Sequence, residues 1–326
     1  MIKKVVLTLT TLLVSSAALA ANSTQTIETE PNTNFVITPS MAYRYDVFKW
    51  SIPSDRFPQH KLSELVWKNH IVQPSIKIET EPKPKQFTFL GQAKYGYILK
   101  NPSKSWDYDW YSSDEKTSEL HSKTKSYVRG NILDLSGAVG YSVNLLENNL
   151  LTFYVGYDYT DYRNKDYGCF QLLDINELTI SYNQLISKYY FKNQVPWVGL
   201  SLETQLNNKF SIIPTIKYYS FKYIGRGYWL FRTDYEQNPS FKHNAKGYGL
   251  GVEIDFLYKY SNNLDFKIGL ETKKFKMKNG NVKTFYSEKE KKSAMFNFGK
   301  KVSDTNKLYG LNLISSSISV GFRYKI

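Results

Sequence analysis

The most restrictive feature of this chain is a strict two-residue alternation of apolar with small, polar or charged side chains. Tyr248, Leu250, Val252, Ile254, Phe256 and Tyr258 share one face of an extended segment, and Gly249, Gly251, Glu253, Asp255 and Lys259 lie on the other. Leu264, Phe266, Ile268 and Leu270 repeat the pattern against Asp265, Lys267, Gly269 and Glu271. Leu151, Phe153, Val155, Tyr157 and Tyr159 do so again, and the chain closes on Ile318, Val320, Phe322, Tyr324 and Ile326. A period of two is a strand period, and helical spacing fits none of these runs. Acidic residues set between apolar ones make sense where one face meets lipid and the other is wet, as in a transmembrane β-barrel.

The N-terminus agrees with export. Lys3 and Lys4 form a positive region, Val5 to Val14 an apolar one, and Ala18-Leu19-Ala20 a small-residue cleavage site. This is the layout of a secretory signal peptide over residues 1–20, leaving a mature barrel of residues 21–326. No later stretch approaches the ~18–20 apolar residues that a membrane helix needs. Composition supports strands: 27 Tyr, 19 Phe and 6 Trp accompany a mean hydropathy of only −0.45. A barrel produces that combination, because alternate residues face lipid and aromatic girdles mark both interfaces. The single cysteine, Cys169, excludes an internal disulfide and a thiolate-rich metal site. The net charge of +14 would suggest nucleic acid for an intracellular protein. An exported chain meets lipopolysaccharide phosphates instead, so outer-membrane lipid is the expected partner, nucleic acid is not, and a monomer is expected.

Ten strands are expected, near 34–50, 61–78, 86–99, 126–145, 150–164, 177–206, 209–225, 244–260, 264–278 and 307–326. Glu147-Asn148-Asn149, Asn207-Asn208 and Ser261-Asn262-Asn263 read as tight turns, with a longer link from Glu79 to Lys85. Polar loops are expected at 51–60, 100–125, 165–176, 226–243 and 279–306. Short turns on one rim and long extracellular loops on the other define an antiparallel up-and-down, all-β outer-membrane barrel with both termini on the periplasmic rim. The second and fourth loops then emerge together at the outer mouth.

The second loop holds Trp106-Asp107-Tyr108-Asp109-Trp110. Two carboxylates two residues apart on an extended segment point the same way, and their repulsion raises a pKa so that the pair can hold a proton. Solvated loop acids and rim tryptophans are the plain alternative. A carboxylate cluster of Asp107, Asp109 and Asp234, with or without Glu236, is a second option, as a metal or a basic-peptide site; coordination chemistry allows it and the sequence does not demonstrate it.

The landmarks in order resemble the omptin family of outer-membrane proteases over nearly the whole mature chain. They are Lys61-Leu62-Ser63-Glu64-Leu65-Val66-Trp67-Lys68, Trp106 to Asp114, and Pro196-Trp197-Val198-Gly199-Leu200. The resemblance implies an acid pair, Asp107 and Asp109, faced by an Asp-x-His pair from the fourth loop. Water between the pairs would attack peptides next to basic residues. It also implies an activating lipopolysaccharide on the barrel exterior, with Lys192 at one contact and Asp161, followed by Arg163, at the other. No metal or other cofactor is implied. The sequence departs where the His belongs: Gly227 to Glu236 reads GYWLFRTDYE. One alignment places Arg232 and Asp234 at the family's Asp and His, and a shift by two places Asp234 and Glu236 there. Of the four histidines, His60 falls in the first loop, His70 on a strand, and His121 matches a non-catalytic position. His243, at the base of the fourth loop, is the remaining candidate.

Three functions follow. The first is an omptin-like endopeptidase using Asp107, Asp109 and Asp234, with altered or lost activity. The second is a non-enzymatic surface barrel that binds host proteins through lysine-rich segments such as 272–306. The third is a small porin, disfavoured because ten strands enclose little space and Glu253, Asp255, Lys267 and Arg323 can pair across the lumen.

Overall fold

The computed structural model describes residues 35–54, 56–146, 149–173, 180–287 and 305–326. The leader expected over residues 1–20, the Glu147-Asn148 part of one turn, and Lys289, Lys291 and Lys292 lie outside the described residues.

Among the described residues there are twelve strands and no helix. They are β1 (Phe35–Pro53), β2 (Lys61–Thr80), β3 (Phe87–Ile98), β4 (Lys104–Tyr111), β5 (Glu119–Leu146) and β6 (Asn149–Leu173), followed by β7 (Ile180–Gln205), β8 (Phe210–Trp229), β9 (Phe241–Lys259), β10 (Leu264–Thr284), β11 (Thr305–Lys307) and β12 (Gly310–Lys325). All pairings are antiparallel, and β1 pairs with both β2 and β12, which closes the ring. Phe35 and Ile326 exchange backbone hydrogen bonds of 3.2 and 2.8 Å at that seam, on one rim.

Twelve strands occupy ten places. β3 and β4 are two pieces of one wall position, because both run between β2 and β5 at different heights. Residues 99–103 loop out between them, where Pro102 has no N–H to give a ladder. Ser103 fills the gap: its hydroxyl accepts from the His70 amide at 2.9 Å, and its carbonyl accepts from Val128 at 3.2 Å. Beside the break, Gly130 is required by close approach, since a Cβ there would stand 1.8 Å from the Arg163 carbonyl oxygen. β11 is a short cap on β10.

The ten-strand ring is as expected, but several strands run past their expected ends. The second loop shrinks because β4 and the start of β5 occupy 104–111 and 119–125, so the Asp-x-Asp segment lies on a strand. β6 reaches Leu173, β8 reaches Trp229, and β10 reaches Thr284. The physical reason is that these extensions stand clear of lipid. On β6 and β8 the extensions turn Lys165 and Arg226 outward, so the apolar alternation stops there while the hydrogen-bonded ladder continues.

Two levels result. In the lower one the outer face is apolar and bare; Val320 is 58% and Leu250 56% exposed. The interior there is a charge network. Arg44 bonds Asp46 and Asp134, each at 2.7 Å; Lys267 reaches Asp255 at 2.5 Å; and Arg323 lies 3.6–3.9 Å from Glu79, Glu203 and Asp265. Cavities between these layers measure about 50, 60 and 20 Å³. In the upper level the interior is an aromatic core of Phe48, Trp50, Trp67, Tyr162, Tyr189, Phe191, Tyr223 and Phe241. Rings pack at 4.6 Å (Tyr162–Phe191), 4.7 Å (Phe48–Phe191) and 5.0 Å (Trp67–Tyr189).

Tight turns form where expected on the rim of the termini. Asn207 Oδ1 accepts from the amides of Lys209 and Phe210 at 2.9 and 3.0 Å, and the Ser261 amide donates to Leu264 at 3.1 Å. In the longer Glu79–Lys85 link, Lys85 takes φ 59° and its amide donates to Ser142 at 2.7 Å.

Candidate functional site

β4 pairs Asp107 with Leu65 and Asp109 with Ser63, so strand parity sends both carboxyls inward above the aromatic core. The alternate residues Trp106, Tyr108 and Trp110 turn outward, where Lys68 lies 5.1 Å over Trp106 and Lys61 5.4 Å over Trp110. The Ser63 hydroxyl donates to Asp107 at 3.4 Å. Burial pushes the Asp107 carboxyl well up, and its neighbour Asp109 adds to this. Burial also raises Asp109, while Ser63, Arg232 and His121 pull it back down.

A third carboxylate, absent from the sequence reading, lies below them. Asp166 of β6 accepts from Trp67 Nε1 (3.0 Å), Ser105 (2.9 Å) and Ser187 (2.6 Å). Burial raises it and these three donors hold it down. Its charge bears on Asp107. The inward parity of Tyr162, Asn164 and Asp166 was the available signal. Cys169 follows on the same strand, with its half-buried thiol pushed up by burial.

Asp234 does not join the acid pair. It is clamped by Arg232, with Nε and Nη2 donating at 2.9 and 2.7 Å, and this holds the carboxyl below its ordinary range. Arg232 also donates to the Tyr235 hydroxyl at 3.1 Å and lies 4.7 Å over that ring. The loop is fixed from behind: the Glu236 amide donates to Phe285 and the Ser287 amide to Asp234, each at 2.8 Å. Arg232 is near enough to lower both Asp107 and Asp109, yet forms no ion pair with either among the described residues. The mouth therefore sets two carboxyls of raised pKa near a guanidinium.

His243, the candidate of the fourth loop, is held away from the acid pair. His243 is fully buried, bonded through Nδ1 to Tyr189 at 2.8 Å and edge-on to Trp50 at 4.5 Å, so it cannot swing to the mouth. Burial lowers its pKa to about 3. His60 contacts Ser112 at 3.1 Å, and His70 sits on the outer wall against Tyr45. His121 is exposed beside Asp109, on the same side of the mouth. Among the described residues no three His, Cys, Asp or Glu side chains converge as a metal site.

Lys192 lies on the outer wall with Asp161 and Arg163. Its ammonium is 3.9 Å from Asp161 and 6.0 Å over Tyr159, and Arg163 pairs with Asp161 at 3.2 Å.

A family model described as Pom: Protochlamydia outer membrane protein matches residues 39–324. No curated protein sequence matches significantly. Among solved structures, the outer membrane protease OmpT from Escherichia coli superposes with a TM-score of 0.70 at 16% identity, covering 93% of this chain and 100% of that one. OprG from Pseudomonas aeruginosa aligns with a TM-score of 0.35 at 10% identity, over 90% of this chain and 96% of that one. At such identity OmpT shares the fold; the omptin likeness of the motifs is supported at that level alone.

Proposed function

Since the chain belongs to the Protochlamydia outer membrane protein family, we propose that it is an outer-membrane surface barrel that binds external partners and does not hydrolyse peptides by an acid-pair-and-histidine route. The observation that carries this is the Arg232–Asp234 clamp. Attack by water needs a group to take its proton, and a guanidinium cannot be deprotonated in a protein. With Asp234 spent on Arg232 and His243 sealed in the aromatic core, neither of these two is available as a base to Asp107 and Asp109.

A net charge of +14 favours acidic partners, drawn in by long-range attraction that salt weakens. The Lys192, Arg163 and Tyr159 group suits a phosphate of the outer leaflet, in keeping with a lipopolysaccharide contact, while Asp161 fixes both cations. A peptidase reading has one observation in its favour: the raised, interacting pair Asp107 and Asp109 could hold one proton between them, as paired carboxyls do in aspartic proteases.

The test is to incubate refolded protein, with and without lipopolysaccharide, with fluorogenic dibasic peptides. No cleavage above buffer is expected, whereas cleavage abolished by Asp109→Ala would replace the binder by an acid-pair endopeptidase. Cells displaying the barrel are expected to adhere to immobilised host-matrix proteins at low salt and to detach as salt rises. Failure to adhere at any salt would end the binding reading.

A further inference from the structure

The outer wall of the upper level carries a second concavity, apart from the acid pair. It exists because two neighbours separate. The β10–β12 ladder stops at Lys276–Asn312, and β10 resumes pairing with β11 only at Asn281–Lys307. Between these points β10 has a bulge at Met277–Asn279, and residues 308 and 309 cross over to β12. The opening has a volume of about 560 Å³. That is the size of a small-molecule site, well above the other cavities described.

The lining is asymmetric in charge. Lys49, Lys61, Lys276, Lys278 and Lys307 meet one carboxylate, Glu64. Glu64 is already engaged by Lys61 at 2.8 Å and Lys49 at 3.8 Å. Lys276, Lys278 and Lys307 have no ion pair among the described residues, so three ammonium groups surround the opening without a counter-charge. The floor is apolar and close-packed: Leu308 is 5% exposed, and a Cβ on Gly280 would meet Met277 Sδ at 2.4 Å. Asn279, Asn281 and Asn312 add amides able both to donate and to accept. One aromatic face adjoins the site, that of Tyr309, half-exposed at its edge.

We propose that this concavity binds an anionic saccharide, a sugar bearing sulfate, carboxylate or phosphate. Each part of the site matches one part of such a ligand. Lysines hold the anionic substituents, asparagines hold hydroxyls, and Tyr309 presents a flat apolar face to the C–H side of a sugar ring. The position suits the same ligand. Lys276 is six residues beyond Leu270, the last large apolar side chain that β10 turns to lipid, or about 20 Å along the strand. On β12 the exposed Ile314 lies two residues below Asn312, so the site stands at the upper edge of the apolar belt, at the height of the leaflet's headgroup sugars. It deepens the surface-binding reading and rests on it.

The experiment uses the full barrel in zwitterionic nanodiscs and titration calorimetry. A sulfated hexasaccharide is expected to bind, and the neutral hexasaccharide of the same backbone at least about tenfold more weakly, as loss of a charge-assisted bond implies. The variant K276Q/K278Q/K307Q, all at exposed or edge positions, is expected to lose about tenfold or more for the sulfated ligand. Tyr309→Ala is expected to weaken the hexasaccharide severalfold and to leave inorganic sulfate unchanged. Unchanged binding by the triple variant overturns the site. Inorganic sulfate competing as well as the hexasaccharide, charge for charge, overturns the saccharide and leaves a bare anion patch. A phosphorylated glycolipid placed in the disc identifies the source: competition assigns the site to leaflet sugars, and its absence to external polysaccharide. None of these lysines bears on the peptide-cleavage assay, so either reading can fail while the other stands.

Discussion

The two levels of the barrel invert each other. At lipid height the wall is apolar outside and charged inside, with Arg44 between Asp46 and Asp134. Above it the wall is charged outside and aromatic inside, with Trp67 between Phe48 and Tyr189. The changeover lies near Asp46, Asn69 and Tyr162, where Asn69 donates to the Tyr162 hydroxyl at 2.7 Å. The difference teaches that each level is held by whatever its surroundings leave available. Lipid removes the hydrophobic gain of hiding apolar side chains, so the lower lumen is tied by ion pairs. Water restores that gain, so the upper lumen packs like a soluble core.

The comparison breaks most visibly through the aromatic core. Trp67→Ala is expected to cost about 4 kcal/mol, the range for a large buried aromatic, and it strips Asp166 of one donor. Guanidinium unfolding in vesicles, followed by Trp fluorescence, measures it; a loss below about 1 kcal/mol would mean that the upper level is not a packed core. Arg44→Met is expected to cost about 3 kcal/mol by leaving Asp46 and Asp134 unpaired. The cost is lower because Asp134 keeps Thr160 at 2.7 Å and Gln73 at 2.8 Å. Retained heat-modifiable migration with an unchanged midpoint would show the charge network to be dispensable. The smallest effect tests the mouth. Asp107 has a raised folded pKa, so it lowers stability above that pKa, and the penalty fades as pH falls toward the unfolded value of about 4. Asp107→Asn is therefore expected to stabilise by about 1 kcal/mol at neutral pH and to match the parent near pH 3.5. Equal stability of the two proteins at pH 7 would contradict a buried, raised carboxyl.

The lower level was legible in the sequence because lipid enforces the alternation; Leu250, Val252 and Ile268 could hardly be read otherwise. Inward Glu253, Asp255, Lys267 and Arg323 were also legible, since parity alone places them in the lumen. The upper level was not. Once both faces are free to carry polar residues, Lys165 and the residues after it look like loop, although β6 runs on to Leu173. Asp107 and Asp109 were found by spacing. Asp166 was not, because its role depends on Trp67, Ser105 and Ser187 from three other strands. The fate of Asp234 turned on Arg232, a partner two residues away whose bidentate grip no spacing rule foretells.

The break between β3 and β4 bears on how such a wall can be assembled and altered. Five residues facing two uncouple the register above the break from the register below it. Below it, β3 is locked to its neighbours by the ring that lipid demands. Above it, β4 and the start of β5 form a hairpin that can zip up after the ring has inserted. Insertions or deletions near residues 99–103 or 112–118 are absorbed there without turning a single lipid-facing side chain inward. The tip that carries the acid pair is thus free to diversify, while the frame that holds it stays fixed.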